Sequence, residues 1–233
     1  MAAQQRVVRD NTYSPLPRPW MVSAILAVVL AVIFGFNLLA DATTVMDQSS
    51  APSFTSLALN PISVQDGQVW RVATAGLLHT NIVCLLATLL TLIVVGSEVE
   101  SRWGPSRYIV TLVILALATS AAVMYAEPQV SRFALGVPNA LGLVGAALVV
   151  SRRAGFRVWA LLGVGVFDIA AYLVFGIQSS AIALFAGGIT GALVACLLII
   201  APHDRRRNKY QGAMMIGLAA LLAVAIVIRI LMK

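Results

Sequence analysis

Charged side chains are scarce in this sequence. Of its 233 residues only 11% are Asp, Glu, Lys or Arg, whereas 60% are hydrophobic, and the mean hydropathy is +0.93. Soluble globular domains carry about 25% charged residues, so this composition excludes a water-soluble domain and predicts a membrane protein. Histidine and cysteine are also rare, with two of each. No group of them has the spacing of metal ligands, so neither a metal ion nor another cofactor is expected.

Long apolar runs dominate the chain instead. Each is close to the roughly 20 residues that a helix needs to cross the hydrocarbon core of a bilayer. The period-two alternation of an outer-membrane barrel is missing, so the runs predict an all-α polytopic helix bundle. The first run is too long for a signal-peptide core and has no cleavage pattern after it, so it is expected to be retained. The seven runs cover residues 20–40, 72–96, 108–126, 133–150, 158–177, 181–201 and 213–231.

Basic residues are distributed unevenly between alternate loops, as the positive-inside rule requires. This distribution argues against nucleic acid as a partner, despite the net charge of +7. With seven spans, it predicts a cytoplasmic N-terminus and a C-terminus outside. The cluster 205–209 is a topology signal or, alternatively, binds anionic lipid headgroups. Twelve basic residues fall on the predicted cytoplasmic side: Arg6, Arg9, Arg18, Arg102, Arg107, Arg152, Arg153, Arg157, Arg205, Arg206, Arg207 and Lys209. The other four are Arg71, Arg132, Arg229 and Lys233.

The runs and loops together predict a domain organisation. A cytoplasmic leader (1–19) precedes a six-helix membrane domain (20–201), which a basic cytoplasmic loop (202–212) joins to a seventh transmembrane helix (213–233). Within the membrane domain, residues 41–71 form a long outer loop that is expected to lie on the membrane surface. A plain connector is the alternative. Its apolar residues are expected to enter the headgroup layer: Phe54, Leu57, Leu59 and Val64.

The segment 67–104 carries a family resemblance. It contains Val69-Trp70-Arg71, then His79, then Glu100-Ser101-Arg102-Trp103-Gly104 around one apolar run. That order resembles the rhomboid family of intramembrane serine proteases, over residues 63–201. The resemblance implies a core of six helices, to which this chain adds a seventh, with Trp70 as an interfacial anchor.

The family's catalytic positions are occupied by other residue types here. The family has a serine that opens the fourth span, a histidine base in the sixth, and a histidine and asparagine in the second that assist the oxyanion. By resemblance the serine falls on Val137 or Pro138, the base on Phe185, and the oxyanion pair on Cys84 and Thr88. Intramembrane proteolysis needs an activated nucleophile, a base and oxyanion donors. The resemblance therefore implies a rhomboid fold without rhomboid chemistry.

Thr88 and Cys84 share one helix face through their i, i+4 spacing. We expect the Thr88 hydroxyl to bond the carbonyl one turn earlier in its own helix, and donation of a weak hydrogen bond to another group is the alternative. Glu100 and Arg102 are expected to anchor a structural hydrogen-bond network, and the glycines to allow close helix packing. The retained family positions are Trp70, Arg71, His79, Glu100, Arg102, Gly136, Gly142, Gly145 and Gly188.

Asp168 is an acidic residue deep in a predicted span, about 16 Å from the end near Arg157 at 1.5 Å per residue. An intramembrane acid often marks a functional site. We expect it to be neutral or hydrogen-bonded, near Tyr172 or Asn37, and to mark a cavity or a contact for another membrane protein. A small transporter organised around Asp168 is an alternative, but no basic or second acidic residue lies at matching depth.

The leading hypothesis is a proteolytically inactive rhomboid-like protein, integral to a prokaryotic plasma membrane. It would contact membrane lipids and bind transmembrane segments or other integral membrane proteins, as a scaffold, chaperone or regulator. The main alternative is an active protease with a displaced centre, in which His79 pairs with Ser131, Ser179 or Ser180.

Overall fold

A computed structural model describes residues 20–40, 45–127, 132–154, 158–176, 180–201 and 207–232. The predicted leader 1–19 lies outside them. The described residues form helices, with one isolated antiparallel bridge between Leu59 and Phe133. The helices are α1 (Met21–Ala40), α2 (Pro52–Leu57), α3 (Pro61–Gln65), α4 (Arg71–Thr74), α5 (Ile82–Thr91), α6 (Ser97–Trp103), α7 (Pro105–Ala126), α8 (Gly136–Ala154), α9 (Val158–Phe175), α10 (Ala181–Ile200) and α11 (Arg207–Leu231).

The long helices make up the bundle. A π-helical turn (Leu92–Gly96) joins α5 to α6, so that Ile82–Trp103 is one continuous rod. This rod, α1, α7, α9, α10 and α11 are each long and apolar enough to span a bilayer, and the apolar part of α8 (Gly136–Ser151) is shorter. The prediction of an all-α polytopic membrane bundle is confirmed. We call the end at which α5 begins the His79 end, and the opposite end, where α6 ends, the Trp103 end.

Two spans begin later than the apolar runs predict. The second membrane helix starts at Ile82, not at residue 72, and α8 starts at Gly136, not at residue 133. In both places the apolar run includes residues before the helix that are buried by protein at the His79 end. Val72 is 6% exposed and Phe133 3% exposed, and Phe133 pairs with the outer loop through its bridge to Leu59. Hydrophobicity alone cannot separate such chain from a span.

The seventh helix is longer than predicted, since α11 begins at Arg207, within the expected loop 202–212. Two side chains in its first turns explain the extension. The Arg107 guanidinium on α7 donates to Asn208 Oδ1 at 2.6 Å, and Gln211 Nε2 donates to the Leu198 carbonyl at 2.7 Å. These bonds hold the start of α11 against α7 and α10.

The outer loop folds into three short helices, α2 to α4, and three of the four residues expected to enter the headgroup layer are buried instead, whereas Leu57 is partly buried. Phe54, Leu59 and Val64 are at most 1% exposed and pack inside the protein. The loop instead exposes other hydrophobic side chains, about half of whose surface is accessible: Ile62, Val69 and Trp70.

Helices α8 and α10 form the centre of the bundle and approach each other at glycines. A Cβ atom added at Gly191 would overlap the Gly142 carbonyl oxygen, and one at Gly145 would overlap the Gly188 carbonyl oxygen. Backbone contact of this kind supplies the van der Waals energy that holds membrane helices together. It also determines which face of α10 points inward.

Candidate functional site where α5, α8, α9 and α10 meet

His79 lies in the extended segment just before α5 and is 3% exposed. Its ring packs directly on Gly136, where an added Cβ would overlap the ring Nε2. The same Nε2 lies 2.9 Å from Thr88 Oγ1. The expectation that Thr88 bonds its own helix was wrong, because the buried histidine offers its hydroxyl a partner.

Cys84, the other predicted oxyanion position, is turned towards α9. Its thiol donates to the Ala171 carbonyl at 3.5 Å and lies 3.7 Å from the Thr80 hydroxyl. Asn81 caps the start of α5, since its Oδ1 accepts a hydrogen bond from the Cys84 amide at 2.9 Å. Cys84 and Thr88 therefore have separate partners, although they share a helix.

The predicted serine positions, Val137 and Pro138, are both buried in the first turn of α8. Val137 is 2% exposed and belongs to a small cluster with Cys84, Tyr172 and Leu184. The Pro138 carbonyl oxygen touches Gly187 so closely that a Cβ there would overlap it. Neither side chain carries a nucleophilic group.

Phe185, the residue assigned to the base position, does not face the interior. It is 72% exposed and lines an apolar cleft formed with α8 and α9. Leu184 faces inward instead, at 4% exposed, because Gly187 and Gly191 turn this face of α10 against α8. Neither side chain can accept a proton, so this part of α10 supplies no base.

Asp168 lies on α9 opposite the rod and is fully buried. Thr91 Oγ1 donates a hydrogen bond to its Oδ2 at 2.7 Å. The expected neighbours have other bonds: the Tyr172 hydroxyl accepts from the Ser180 amide, and Asn37 bonds Gln48 and Ser53. The second oxygen, Oδ1, is buried and has no hydrogen-bond partner among the described residues.

Together these contacts form a polar line between two membrane helices, which we call the α5–α9 seam. It consists of the Asn81 Nδ2 bond to the Phe175 carbonyl at 2.5 Å, the Cys84–Ala171 contact and the Thr91–Asp168 bond. The roles of Asn81 and Thr91 were not predicted from the sequence. A signal was present, because Cys84, Thr88 and Thr91 follow the i, i+4, i+7 spacing of one helix face.

The retained residues outside this region connect elements of the fold. Glu100 is 2% exposed and accepts hydrogen bonds from the Val22 and Ser23 amides at the start of α1. Arg102 forms an ion pair with Glu98. Arg71 donates to the Ala58 and Thr55 carbonyls and so ties α4 to α2.

None of the serines considered as a displaced partner of His79 is seen to contact it among the described residues. Ser131 and Ser179 lie outside the described residues. Ser180 caps α10 and donates to Glu127 Oε1 at 2.6 Å. Among the described residues, His79 forms its hydrogen bond with the hydroxyl of Thr88. Within the described ranges, no group of three His, Cys, Asp or Glu side chains could hold a metal ion.

A match to a known protein family includes most of this region. The family model of the Rhomboid domain matches residues 66–199, which contain α4 to α10 except the last residue of α10. No curated protein matches the chain.

Proposed function

Because the chain belongs to the rhomboid family, we propose that it binds transmembrane segments of other membrane proteins without hydrolysing them. The protein is a multi-pass integral membrane protein, so its exposed helices contact lipid. Hydrolysis would need a nucleophile, a base and oxyanion donors in one place. The cluster of Cys84, Val137, Tyr172 and Leu184 contains no base for its thiol.

Asp168 is the observation that carries the binding proposal. A buried acceptor without a partner is costly in any protein and more so inside a membrane. Here the unbonded Oδ1 belongs to α9, a membrane helix of which only 28% is buried inside the protein. A transmembrane segment with a hydrogen-bond donor at this depth would satisfy that oxygen.

The seam also supplies a reason for selectivity. Moving α9 away from α5 breaks hydrogen bonds that are each worth on the order of 1 kcal/mol between membrane helices. A segment with polar side chains or exposed backbone groups restores such bonds when it docks. A wholly apolar segment restores none, so the seam favours polar transmembrane segments over stable apolar ones.

Crosslinking tests the proposal. The full chain is reconstituted in lipid nanodiscs with a photo-crosslinker at Leu173, a half-exposed residue of α9. Two synthetic helices of about 20 residues are compared, one of Leu and Ala only and one with a central Asn. We expect about fivefold more crosslinking to the Asn helix, the equivalent of one intramembrane hydrogen bond. Asp168→Leu should abolish the difference.

Val166→Leu is the matched control, because Val166 is on α9 but 64% exposed. It should leave the preference for the Asn helix unchanged. Equal crosslinking of both helices to the wild-type chain, or a preference that persists in Asp168→Leu, would contradict the binding proposal. Mass spectrometry of the recovered helix should find it intact, and a cleaved helix would contradict the claim of no hydrolysis.

The His79–Thr88 contact favours a second candidate function, that of an active protease with a displaced centre. At 2.9 Å the imidazole is within hydrogen-bond reach of a hydroxyl that it could activate. Against this, Thr88 is 4% exposed, and the donors of the seam are already bonded: Asn81 Nδ2 to the Phe175 carbonyl and the Cys84 thiol to the Ala171 carbonyl. Loss of a measured cleavage activity in Thr88→Val would support this candidate.

A further inference from the structure

A small pocket lies at the Trp103 end, remote from the seam. It is formed where α6 and α10 end and α7 and α11 begin, with one side chain from α8. The space inside the pocket is about 20 Å³, enough for one water-sized group. Helices that end or begin together in this way place the pocket near the headgroups of one leaflet.

Three guanidinium groups line this pocket: those of Arg102, Arg107 and Arg207. Arg102 pairs with Glu98, whereas Arg107 donates to the Trp103 carbonyl at 3.1 Å and to Asn208 Oδ1. Both of these Arg107 acceptors are uncharged. The planar fork of N–H donors on a guanidinium suits phosphate oxygens, so the lining of the pocket favours an anionic ligand.

Gln211 contributes a buried acceptor to the same pocket. The residue is 3% exposed, and its Nε2 is committed to the Leu198 carbonyl. Its Oε1 is buried and receives no hydrogen bond from any residue that the structure describes. An amide oxygen in this position calls for a hydroxyl or N–H donor.

We propose that this pocket binds the phosphate ester of a polyol, as the headgroup of an anionic phospholipid such as phosphatidylglycerol. The phosphate lies at the rim against Arg107 and Arg207. A headgroup hydroxyl enters the space inside the pocket and donates to Gln211 Oε1. An ethanolamine or choline headgroup fits poorly, because its cation would face the arginines.

Native mass spectrometry of the full chain tests this site. The protein in detergent is titrated with short-chain phosphatidylglycerol, with phosphatidylethanol, which has the same charge and no hydroxyl, and with soluble glycerol phosphate. We expect phosphatidylglycerol to bind about fivefold more tightly than phosphatidylethanol, as one hydrogen bond would give. Gln211→Leu should remove that difference, and Arg207→Gln should weaken both lipids about tenfold.

Lys209→Gln is the matched control, since it removes one charge from the first turn of α11 at an exposed residue that does not line the pocket. It should change lipid affinity less than twofold. Thermal unfolding of each variant shows whether it is folded. If Arg207→Gln does not fold, Arg107→Gln is measured in its place. Equal affinity for the two lipids, or equal weakening by Lys209→Gln, would overturn the proposal. Glycerol phosphate binding as tightly as the lipid would overturn the assignment of a lipid.

Discussion

Replacing Glu100 with alanine is expected to lower the free energy of unfolding by about 3 kcal/mol. The carboxylate accepts three hydrogen bonds from the first turn of α1, from the Val22 amide at 2.8 Å, the Ser23 amide at 2.9 Å and the Ser23 hydroxyl at 2.8 Å. Helix N-termini leave such amides without intrahelical partners. Each buried donor left unsatisfied costs about 1–3 kcal/mol, part of which water at the membrane surface restores. The change is measured by unfolding the protein in mixed micelles with increasing amounts of a denaturing detergent.

Glu98→Ala provides a matched control two residues away in α6. Its carboxylate pairs with Arg102 across one helical turn, and 37% of the Glu98 side chain is exposed. Exposed pairs of this kind are worth about 0.3–0.5 kcal/mol. If the two alanine variants lose similar stability, Glu100 does not fasten α1 to the rod as described.

Gly191→Ala is expected to destabilise the protein by about 2 kcal/mol, although alanine favours helix formation over glycine by about 1 kcal/mol. The added methyl group would overlap the Gly142 carbonyl oxygen and come within 3.0 Å of the Gly142 Cα. The obstacle is backbone, so no side-chain rotation relieves it and α8 must move away from α10. Overpacking of this kind costs about 1–3 kcal/mol or more.

Gly163→Ala makes the same change in α9, where nothing lies within 4 Å of the new methyl group. It should leave the unfolding midpoint unchanged or raise it slightly. A Gly191→Ala protein as stable as this control would show that α8 and α10 are not packed backbone to backbone.

The order of the long apolar helices could be predicted from the sequence, although six of the seven predicted spans are long and apolar enough to cross a bilayer and the apolar part of α8 is shorter. Their ends could not always be predicted. Phe133 is apolar because its side chain is buried among other hydrophobic residues of the protein, and α11 begins six residues early because Asn208 and Gln211 bond neighbouring helices. Apolar character reports burial, and it does not distinguish burial by lipid from burial by protein.

The candidate site was predictable only in part. The family pattern identified Cys84, Thr88 and Val137, which the structure places in the interior. The pattern could not distinguish the exposed Phe185 from its buried neighbour Leu184 on α10. Nor could it pair Thr91 with Asp168, which are 77 residues apart and meet only when α9 packs against the rod.

The most direct test of binding without hydrolysis is labelling by a fluorophosphonate probe, which reacts with activated hydroxyl nucleophiles. The purified chain in lipid is compared with a catalytically competent rhomboid and with the His79→Ala and Thr88→Val variants. The account predicts that the competent enzyme is labelled and that this chain is not. Labelling of the wild-type chain that disappears in either variant would show that His79 and Thr88 form a working catalytic centre, and would contradict the account.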